Sequence, residues 1–242
     1  LSLHDALPIF SLSNPWTGEI IRSGFAHRKV TVRIDLDALL RTGTLPGAEG
    51  CLDHRHATVR RVAELLDRRP PAVQVETGCQ SNRLLNAHGM STTIYGALAE
   101  RHHAVLYTVD IDADRMKRCR ELTGAYAAHI RYAVGDSVAF LSAFQGIIDF
   151  LYLDSYDFSP DCGEASRGHQ LAEIRAAYDK LGPGAVVLLD DANVQRHFHF
   201  KLDALNVQGK TPYAHRFLLE RGAVCLADYP SAQRLYVLGR AV

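Results

Sequence analysis

Three aspartates follow apolar segments of the sequence, where a cation or a substrate could be bound. Asp154 comes directly after the apolar segment 147–153, and Asp190 and Asp191 follow the apolar segment 185–189. If both segments are strands of a parallel sheet, their carboxyl ends meet at the edge where ligands bind. Mg²⁺ prefers carboxylate oxygens, and a cation there would lower the pKa of a substrate hydroxyl. These three carboxylates are therefore a candidate Mg²⁺ site. The alternative is that one member of the pair caps a turn and the other faces water.

A second group of residues has the order expected of a nucleoside site. An apolar segment leads into Glu76-Thr77-Gly78, and the chain later reads Gly89-Met90-Ser91-Thr92. A further apolar segment ends at Asp110. A glycine after a strand lets the backbone approach a ligand, and an acid after the next strand can bind ribose hydroxyls. The pattern predicts a nucleoside cofactor.

These residues also have structural interpretations. Gly78 can simply end a strand, and Asp110 or Asp136 can cap the helix that follows it. For Asp112 and Ser137, capping of a helix is the favoured interpretation. Among twelve histidines, His88, His169 and His215 are candidates for a general base without a basis for choosing one, and Lys210 is a candidate contact to an acidic substrate.

Strands and helices alternate from residue 72 onward. The candidate strands are 72–76, 105–110, 130–134, 147–153 and 185–189, and the candidate helices are 91–102, 112–122, 137–144 and 168–181, the last ended by Gly182-Pro183-Gly184. This alternation predicts an α/β fold with a doubly wound, mostly parallel sheet. After a helix near 212–221, the apolar segments 223–227 and 234–238 are too close for a parallel crossover. We therefore predict seven strands with an antiparallel last strand.

Composition limits the partners of the chain. Its 242 residues carry 27 basic and 27 acidic side chains, so neither a nucleic acid nor an acidic membrane is an expected partner. No apolar segment approaches the roughly 20 residues that span a bilayer. Five scattered cysteines without a CxxC pair indicate reduced thiols in a cytoplasmic protein.

We divide the chain into three parts. Residues 1–9 match one reading frame of a common sequencing adapter, and we expect them to contribute nothing to the fold. Residues 10–70 are irregular at first. They contain a possible short strand at 30–34 and then a helix with Val59, Val62, Leu65 and Leu66 on one face, which Pro70-Pro71 stops. We interpret 10–70 as an extension or lid on the main domain, 71–242.

The order of these motifs resembles class I S-adenosylmethionine-dependent methyltransferases. The resemblance covers residues 72–238 and is to the branch with V-E-T-G followed later by G-x-S-T. It implies a Rossmann-like fold and S-adenosyl-L-methionine as cofactor, bound by two groups of residues. The first group comprises Glu76, Thr77, Gly78, Gly89, Ser91 and Thr92, and the second comprises Asp110, Ile111, Asp136, Ser137 and Asp154. It also implies that Asp110 binds the ribose, that Asp136 and Ser137 contact the adenine, and that Asp154 is the catalytic residue at the methyl-transfer site.

The resemblance departs from the commonest pattern at the first glycine motif. Eleven positions separate Gly78 from Gly89, so the loop between them is longer than in most members. This spacing also disfavours a nicotinamide-dependent oxidoreductase, which requires G-x-G-x-x-G and an acid about 20 residues on. The expected function is methylation of a small-molecule acceptor at a hydroxyl group. In one version of this reaction a metal ion assists the transfer. The alternatives are the NAD-dependent oxidoreductase and a non-catalytic nucleoside-binding copy of the fold.

Overall fold

The apolar segments form one seven-stranded sheet with helices on both faces. This computed structural model describes residues 31–44, 52, 55–80, 90–158, 162–192, 209–228 and 233–239. The strands are β1 (Val73–Thr77), β2 (Val105–Asp110), β3 (Ile130–Val134), β4 (Ile148–Leu153), β5 (Leu181–Leu189), β6 (Val224–Asp228) and β7 (Arg234–Val237). The helices are α1 (Leu36–Thr42), α2 (His56–Arg68), α3 (Ser91–His102), α4 (Ala113–Leu122), α5 (Ser137–Ala143), α6 (Gly163–Tyr178) and α7 (Pro212–Glu220), with a 3₁₀ turn at Gly124–Tyr126.

The strand order is β3-β2-β1-β4-β5-β7-β6. Neighbouring strands among β1 to β5 are parallel, and β7 is antiparallel to both β5 and β6. This arrangement confirms the predicted doubly wound sheet and its antiparallel strand. The chain reverses its direction of winding between β1 and β4, and open α/β sheets bind ligands in the crevice at such a point.

The two faces of the sheet are covered by different helices. On β4, Phe150 and Tyr152 pack with α2 and α3, while Leu151 and Leu153 pack with α6 and α7 on the opposite face. Successive side chains of a strand point to opposite faces, so a strand covered on both sides has to be apolar throughout. This explains why the central strands are continuous apolar segments in the sequence.

The described part of the amino-terminal segment is built into the core. Asp35 begins α1 by accepting a hydrogen bond from the Ala38 amide at 2.9 Å. In α2, Val59, Val62 and Leu66 are buried in the same cluster as α3. The α2 face predicted from the sequence is therefore confirmed, whereas a lid function for 10–70 stays a prediction. Residues 1–9 lie outside the described residues.

Two predictions were wrong. The possible strand at 30–34 is not formed by the described part of it, residues 31–34, although the Val32 amide donates to Leu122 O at 2.9 Å. The helix predicted at 168–181 begins earlier and ends at Tyr178, and Gly182-Pro183-Gly184 belongs to β5. The reason is pairing with β4: Ile148 pairs with Leu181, and the register then shifts before Phe150. A bulge of this kind accommodates a proline, which cannot donate to the ladder.

Two further observations concern the environment of the protein. Among the described residues, no helix combines the length and the apolar character needed to cross a bilayer. Within the described ranges, Cys79 and Cys119 are buried cysteines that form no disulfide.

Candidate active site

The crevice between β1 and β4 brings two chain segments into direct contact. Gly78 follows β1 with φ +80°, and a Cβ at this position would lie 2.5 Å from the carbonyl oxygen of Asp154. The Asp154 amide donates to Thr77 O at 2.9 Å. Both the left-handed backbone and the close approach require glycine here. Gly78 therefore fixes the end of β1 against the end of β4.

Gly78 lines a cavity of about 290 Å³ at the carboxyl ends of β1, β2 and β3. One wall consists of residues at the carboxyl end of β2 and after β2 and β3, namely Val109, Asp110, Ile111, Asp112, Arg115, Gly135, Asp136 and Ser137. The other wall follows β4 and includes α6, with Ser155, Tyr156, Asp157 and His169. The volume is near the lower limit of ordinary ligand pockets.

The Asp110 carboxylate is buried and held in a fixed orientation. Its Oδ2 accepts the Cys79 amide at 3.1 Å, and its Oδ1 accepts the Asp112 amide at 2.9 Å. The Arg115 Nη1 lies 3.8 Å from Oδ2. An ionised carboxylate has about four lone-pair sites, so each oxygen keeps acceptor capacity for a ligand. Beside it, Ile111 exposes 74% of its surface and offers an apolar contact.

The helix caps differ from the prediction at one position. Asp112 caps α4, as predicted, by accepting the amides of Asp114 and Arg115. In α5 the cap is Asp136, which accepts the Ala139 amide at 2.7 Å, and not Ser137. Ser137 is the first residue of the helix. Its Oγ lies 3.0 Å from His169 Nε2, and Ser137 lines the cavity. The Ser137 hydroxyl is therefore part of the cavity wall and does not cap the helix.

Several predicted cofactor residues lie beneath the cavity and not in its wall. Glu76 is fully buried, and its Oε2 accepts the hydroxyls of Thr92 and Thr108 at 2.7 and 2.8 Å. Burial raises the pKa of Glu76 to about 7, although hydrogen bonds from Ser91 and the two threonines act in the opposite direction. Within the described residues, Glu76 thus joins α3 to β1 and β2. Gly89 lies outside them.

A hydrogen-bonded group lies behind the second wall of the cavity. Ser155 Oγ donates to the buried Glu173 at 2.5 Å, and His169 Nε2 lies 3.6 Å from the same carboxylate oxygen. A hydrogen bond to Glu173 raises the pKa of His169. The Tyr156 ring lies 5.3 Å from the His169 ring, and Tyr156 has a positive φ of 54°. Of the three histidines considered from the sequence as a general base, His169 lies in the cavity wall.

The three predicted metal ligands lie together at the ends of β4 and β5. Oxygen atoms of Asp154, Asp190 and Asp191 lie within 4.8 Å of one another. Asp190 is fully buried, whereas Asp154 and Asp191 expose 29% and 26% of their side chains. We call these three residues the acidic cluster.

Two basic side chains reach into the acidic cluster. Lys210 Nζ lies 3.0 Å from Asp154 Oδ1 and 3.2 Å from Asp191 Oδ2, and Arg55 Nη2 lies 3.0 Å from Asp190 Oδ1. The Lys210 side chain has no exposed surface, so the expectation that it contacts an acidic substrate is wrong.

A buried tyrosine joins two members of the acidic cluster. The Tyr152 hydroxyl is within hydrogen-bonding distance of Asp154 Oδ2, at 3.0 Å, and of Asp190 Oδ2. Burial and the adjacent Asp190 raise the pKa of Asp154 well above its usual value. Burial acts in the same direction on Asp190, but Arg55 and Lys210 outweigh it and lower the pKa of Asp190 to about 2. The two neighbouring carboxyls therefore have opposite shifts, with Asp154 the better proton acceptor.

Comparisons with known proteins agree on the class of the domain. Residues 86–192 match the model of a family described as a methyltransferase domain. No curated protein sequence matches the chain significantly. Residues 86–192 therefore carry a methyltransferase domain.

Solved structures share the fold of this methyltransferase domain at low identity. Cofactor-bound Rv0187 from MTB is 17% identical with a TM-score of 0.55, and the match covers 85% of this chain and 97% of that one. SAH-bound methyltransferase PaMTH1 from Podospora anserina is 14% identical with a TM-score of 0.53, covering 83% and 85%. The O-methyltransferase TomG from Streptomyces achromogenes, in complex with SAM, is 16% identical with a TM-score of 0.50, covering 86% and 92%.

The cavity of the methyltransferase domain has features that suit S-adenosylmethionine (SAM). Asp110 offers acceptor positions for ribose hydroxyls, and the exposed Ile111 offers a surface for a flat base. Thr77 Oγ1 is buried at the end of β1 without a hydrogen-bond partner among the described residues. Thr77 is fully buried and is not among the residues that line the cavity, so its hydroxyl lies below the cavity wall.

Sequence reasoning missed several residues of the candidate site. Tyr156, Asp157 and Arg115 line the cavity, and Arg55 lies in the acidic cluster. Arg115 was detectable, because it lies in the first turn of the helix that follows the acid at the end of β2. Arg55 carries no local signal, since it pairs with a residue 135 positions away.

Proposed function

We propose that this protein transfers the methyl group of SAM to a hydroxyl of a small-molecule acceptor. The observation that carries the proposal is the contact between Gly78 and the Asp154 backbone. Gly78 lines the candidate cofactor cavity, and the Asp154 side chain belongs to the acidic cluster with partial exposure. A bound cofactor and a carboxylate of raised pKa are thereby held side by side.

Asp154 is the candidate base in this reaction. Methyl transfer is an in-line displacement at the sulfonium, so the protein contributes mainly proximity, orientation and removal of the acceptor proton. Asp154 is oriented by Lys210 at Oδ1 and by Tyr152 at Oδ2, which leaves lone-pair positions for an acceptor hydroxyl. A carboxyl with a raised pKa holds the transferred proton more firmly than an ordinary aspartate.

The donor set does not fit the metal-assisted version of this reaction. Mg²⁺ requires near-octahedral oxygen ligands at about 2.0–2.1 Å. In the acidic cluster, Asp154 and Asp191 both direct an oxygen to the Lys210 ammonium. A divalent cation would have to replace that charge, so we assign no step to a metal.

The proposal is tested by binding and turnover measurements on the full chain. Calorimetry should detect binding of SAM but not of NAD, and methyl-labelled SAM should label hydroxyl acceptors more than matched amines. Asp154→Asn should keep SAM affinity within about threefold and lower turnover by about 10²-fold or more, the usual contribution of a general base. The matched control is Asp179→Asn, an exposed aspartate at the end of α6, which should keep full turnover.

Each alternative function has its own result. Binding of NAD with hydride transfer would support the oxidoreductase, which the spacing of Gly78 and Gly89 disfavours. SAM binding without turnover across the acceptor panel would support a non-catalytic copy of the fold. An unchanged rate in Asp154→Asn, with SAM binding intact, would remove Asp154 from the mechanism. A cytoplasmic location stays a prediction.

A further inference from the structure

Lys210 occupies a position that no local sequence pattern requires of a lysine. Its side chain has no exposed surface, and three oxygen atoms surround its ammonium group. Nζ lies 3.0 Å from Asp154 Oδ1, 3.1 Å from Ser155 O and 3.2 Å from Asp191 Oδ2. A lysine ammonium has three N–H donors and no acceptor. The three oxygens therefore match its full donor capacity.

The backbone holds Lys210 in this place. The Lys210 amide donates to Asp191 O at 3.0 Å, and the Gly209 amide donates to Ala192 O at 3.1 Å. Asp191 itself has a left-handed backbone, with φ +52°, and lies between the buried Asp190 and Ala192. The segment that carries the ammonium is thus paired directly with the segment that carries two of the carboxylates. The ammonium cannot leave the cluster without breaking these contacts or rotating a fully buried side chain.

The charges of the cluster are nearly balanced by protein groups. Burial alone would lower the pKa of Lys210, but Asp191, Asp154 and Asp190 outweigh it and raise the pKa, so the amine stays protonated. Arg55 pairs with Asp190. With all groups ionised, three carboxylates face two cations, and the formal charge is −1. Without Lys210 it would be −2, which is the charge that a divalent cation neutralises.

We propose that the Lys210 ammonium is the resident cation of this methyltransferase and takes the position that a divalent metal would need. The protein then binds no Mg²⁺ or Mn²⁺ at the acidic cluster, and removal of Lys210 converts the cluster into a metal site. Lys210 is a positioning residue that orients the Asp154 carboxylate without touching the acceptor. Only the positioning role of Lys210 rests on the proposed function, because binding of a cation at the acidic cluster is independent of methyl transfer.

The experiment measures Mn²⁺ binding calorimetrically, in the absence of any methyl acceptor. The wild type should bind Mn²⁺ at least about 100-fold more weakly than Lys210→Ala, because a unit charge a few ångströms away opposes a divalent ion. Mn²⁺ should raise the melting temperature of Lys210→Ala and leave the wild type unchanged. Lys210→Arg should resemble the wild type. The control is Lys180→Ala, because the Lys180 ammonium donates to the Ala176 carbonyl and lies outside the acidic cluster.

The outcomes separate this inference from the proposed function. Mn²⁺ binding by the wild type that Asp191→Asn abolishes would overturn the inference, and so would Lys210→Ala binding no more Mn²⁺ than the wild type. If Lys210→Ala fails to fold, Lys210→Met takes its place, and the wild-type measurement still decides whether the cluster holds a metal. Absence of methyl transfer would contradict the proposed function and leave these binding results standing.

Discussion

The strongest test of the candidate cofactor site is replacement of the Asp110 carboxylate. Asp110 ends β2 and lines the cavity, and its two oxygens accept the amides of Cys79 and Asp112. Asp110→Asn keeps the shape of the side chain and removes its charge. Whichever way the new amide is oriented, one of the two backbone amides then faces an NH₂ donor. The variant therefore loses fold stability as well as cofactor affinity.

The two losses have different magnitudes and are measured separately. A hydrogen bond to a charged group is worth about 1.5–3 kcal/mol, and a ribose offers two hydroxyls. Loss of one such bond and weakening of the other should lower SAM affinity at least about tenfold, since 1.4 kcal/mol corresponds to a factor of ten. The amide left without its acceptor should cost about 1–3 kcal/mol in the free energy of unfolding.

Calorimetric titration of SAM and chemical denaturation check these values on the same preparations. Asp114→Asn is the matched control, because Asp114 is exposed in the first turn of α4 and does not line the cavity. We expect it to keep SAM affinity within about twofold, as is usual for an exposed charge. If Asp110→Asn binds SAM as tightly as Asp114→Asn does, the ribose assignment is wrong. Loss of stability alone would leave Asp110 as a structural acceptor for two amides.

Three further predictions concern residues around Asp110. Ile111→Ala should weaken SAM binding by about threefold to tenfold while the melting temperature holds, because an apolar side chain that is 74% exposed gains burial only from a ligand. Ile147→Ala, at another exposed isoleucine, should leave the affinity unchanged, and equal effects of the two would contradict the assignment. Gly78→Ala should destabilise the fold by about 1–3 kcal/mol more than Gly222→Ala, since both have positive φ but only Gly78 meets the Asp154 carbonyl at 2.5 Å. Denaturation curves of the two variants give the difference, and equal losses would refute the close contact. The folded-state pKa of Glu76, about 7, exceeds the ordinary 4.5, so stabilisation by its protonated form is fully present below pH 4.5 and is lost as the pH rises through 7. Glu76→Gln should therefore flatten the fall in unfolding free energy across this window, by up to about 3 kcal/mol, and parallel curves for the two proteins would show that Glu76 is not the titrating group.

Sequence reasoning succeeded where one physical rule decided the outcome. β4 has to be apolar throughout because both of its faces are covered, so its bounds were predicted within one residue. β5 was predicted too short because Gly182-Pro183-Gly184 is also a typical helix stop. Pairing of Leu181 with Ile148 overrode that local signal, and the shift in register accommodated the proline.

The caps show a limit of the same kind. Asp136 and Ser137 are both good capping residues and are adjacent in sequence. The choice between them depends on where α5 begins, and an error of one residue in that position would assign the cap to the wrong residue. The structure assigns the cap to Asp136 through the Ala139 amide, and the Ser137 hydroxyl then faces His169.

The acidic cluster illustrates why counting acids does not predict a metal. Three carboxylates at neighbouring strand ends repel one another unless a cation or protons intervene, and that part of the reasoning holds. The intervening charge, however, comes from Lys210, 56 positions after Asp154, and from Arg55, far upstream. Neither residue stands in a motif with the acids. Because the Asp154 backbone also packs on Gly78, the charge balance of the cluster and the position of the cofactor cavity depend on the same few contacts. A substitution that disturbs Lys210 should therefore change the orientation of Asp154 before it changes the cavity that receives the cofactor.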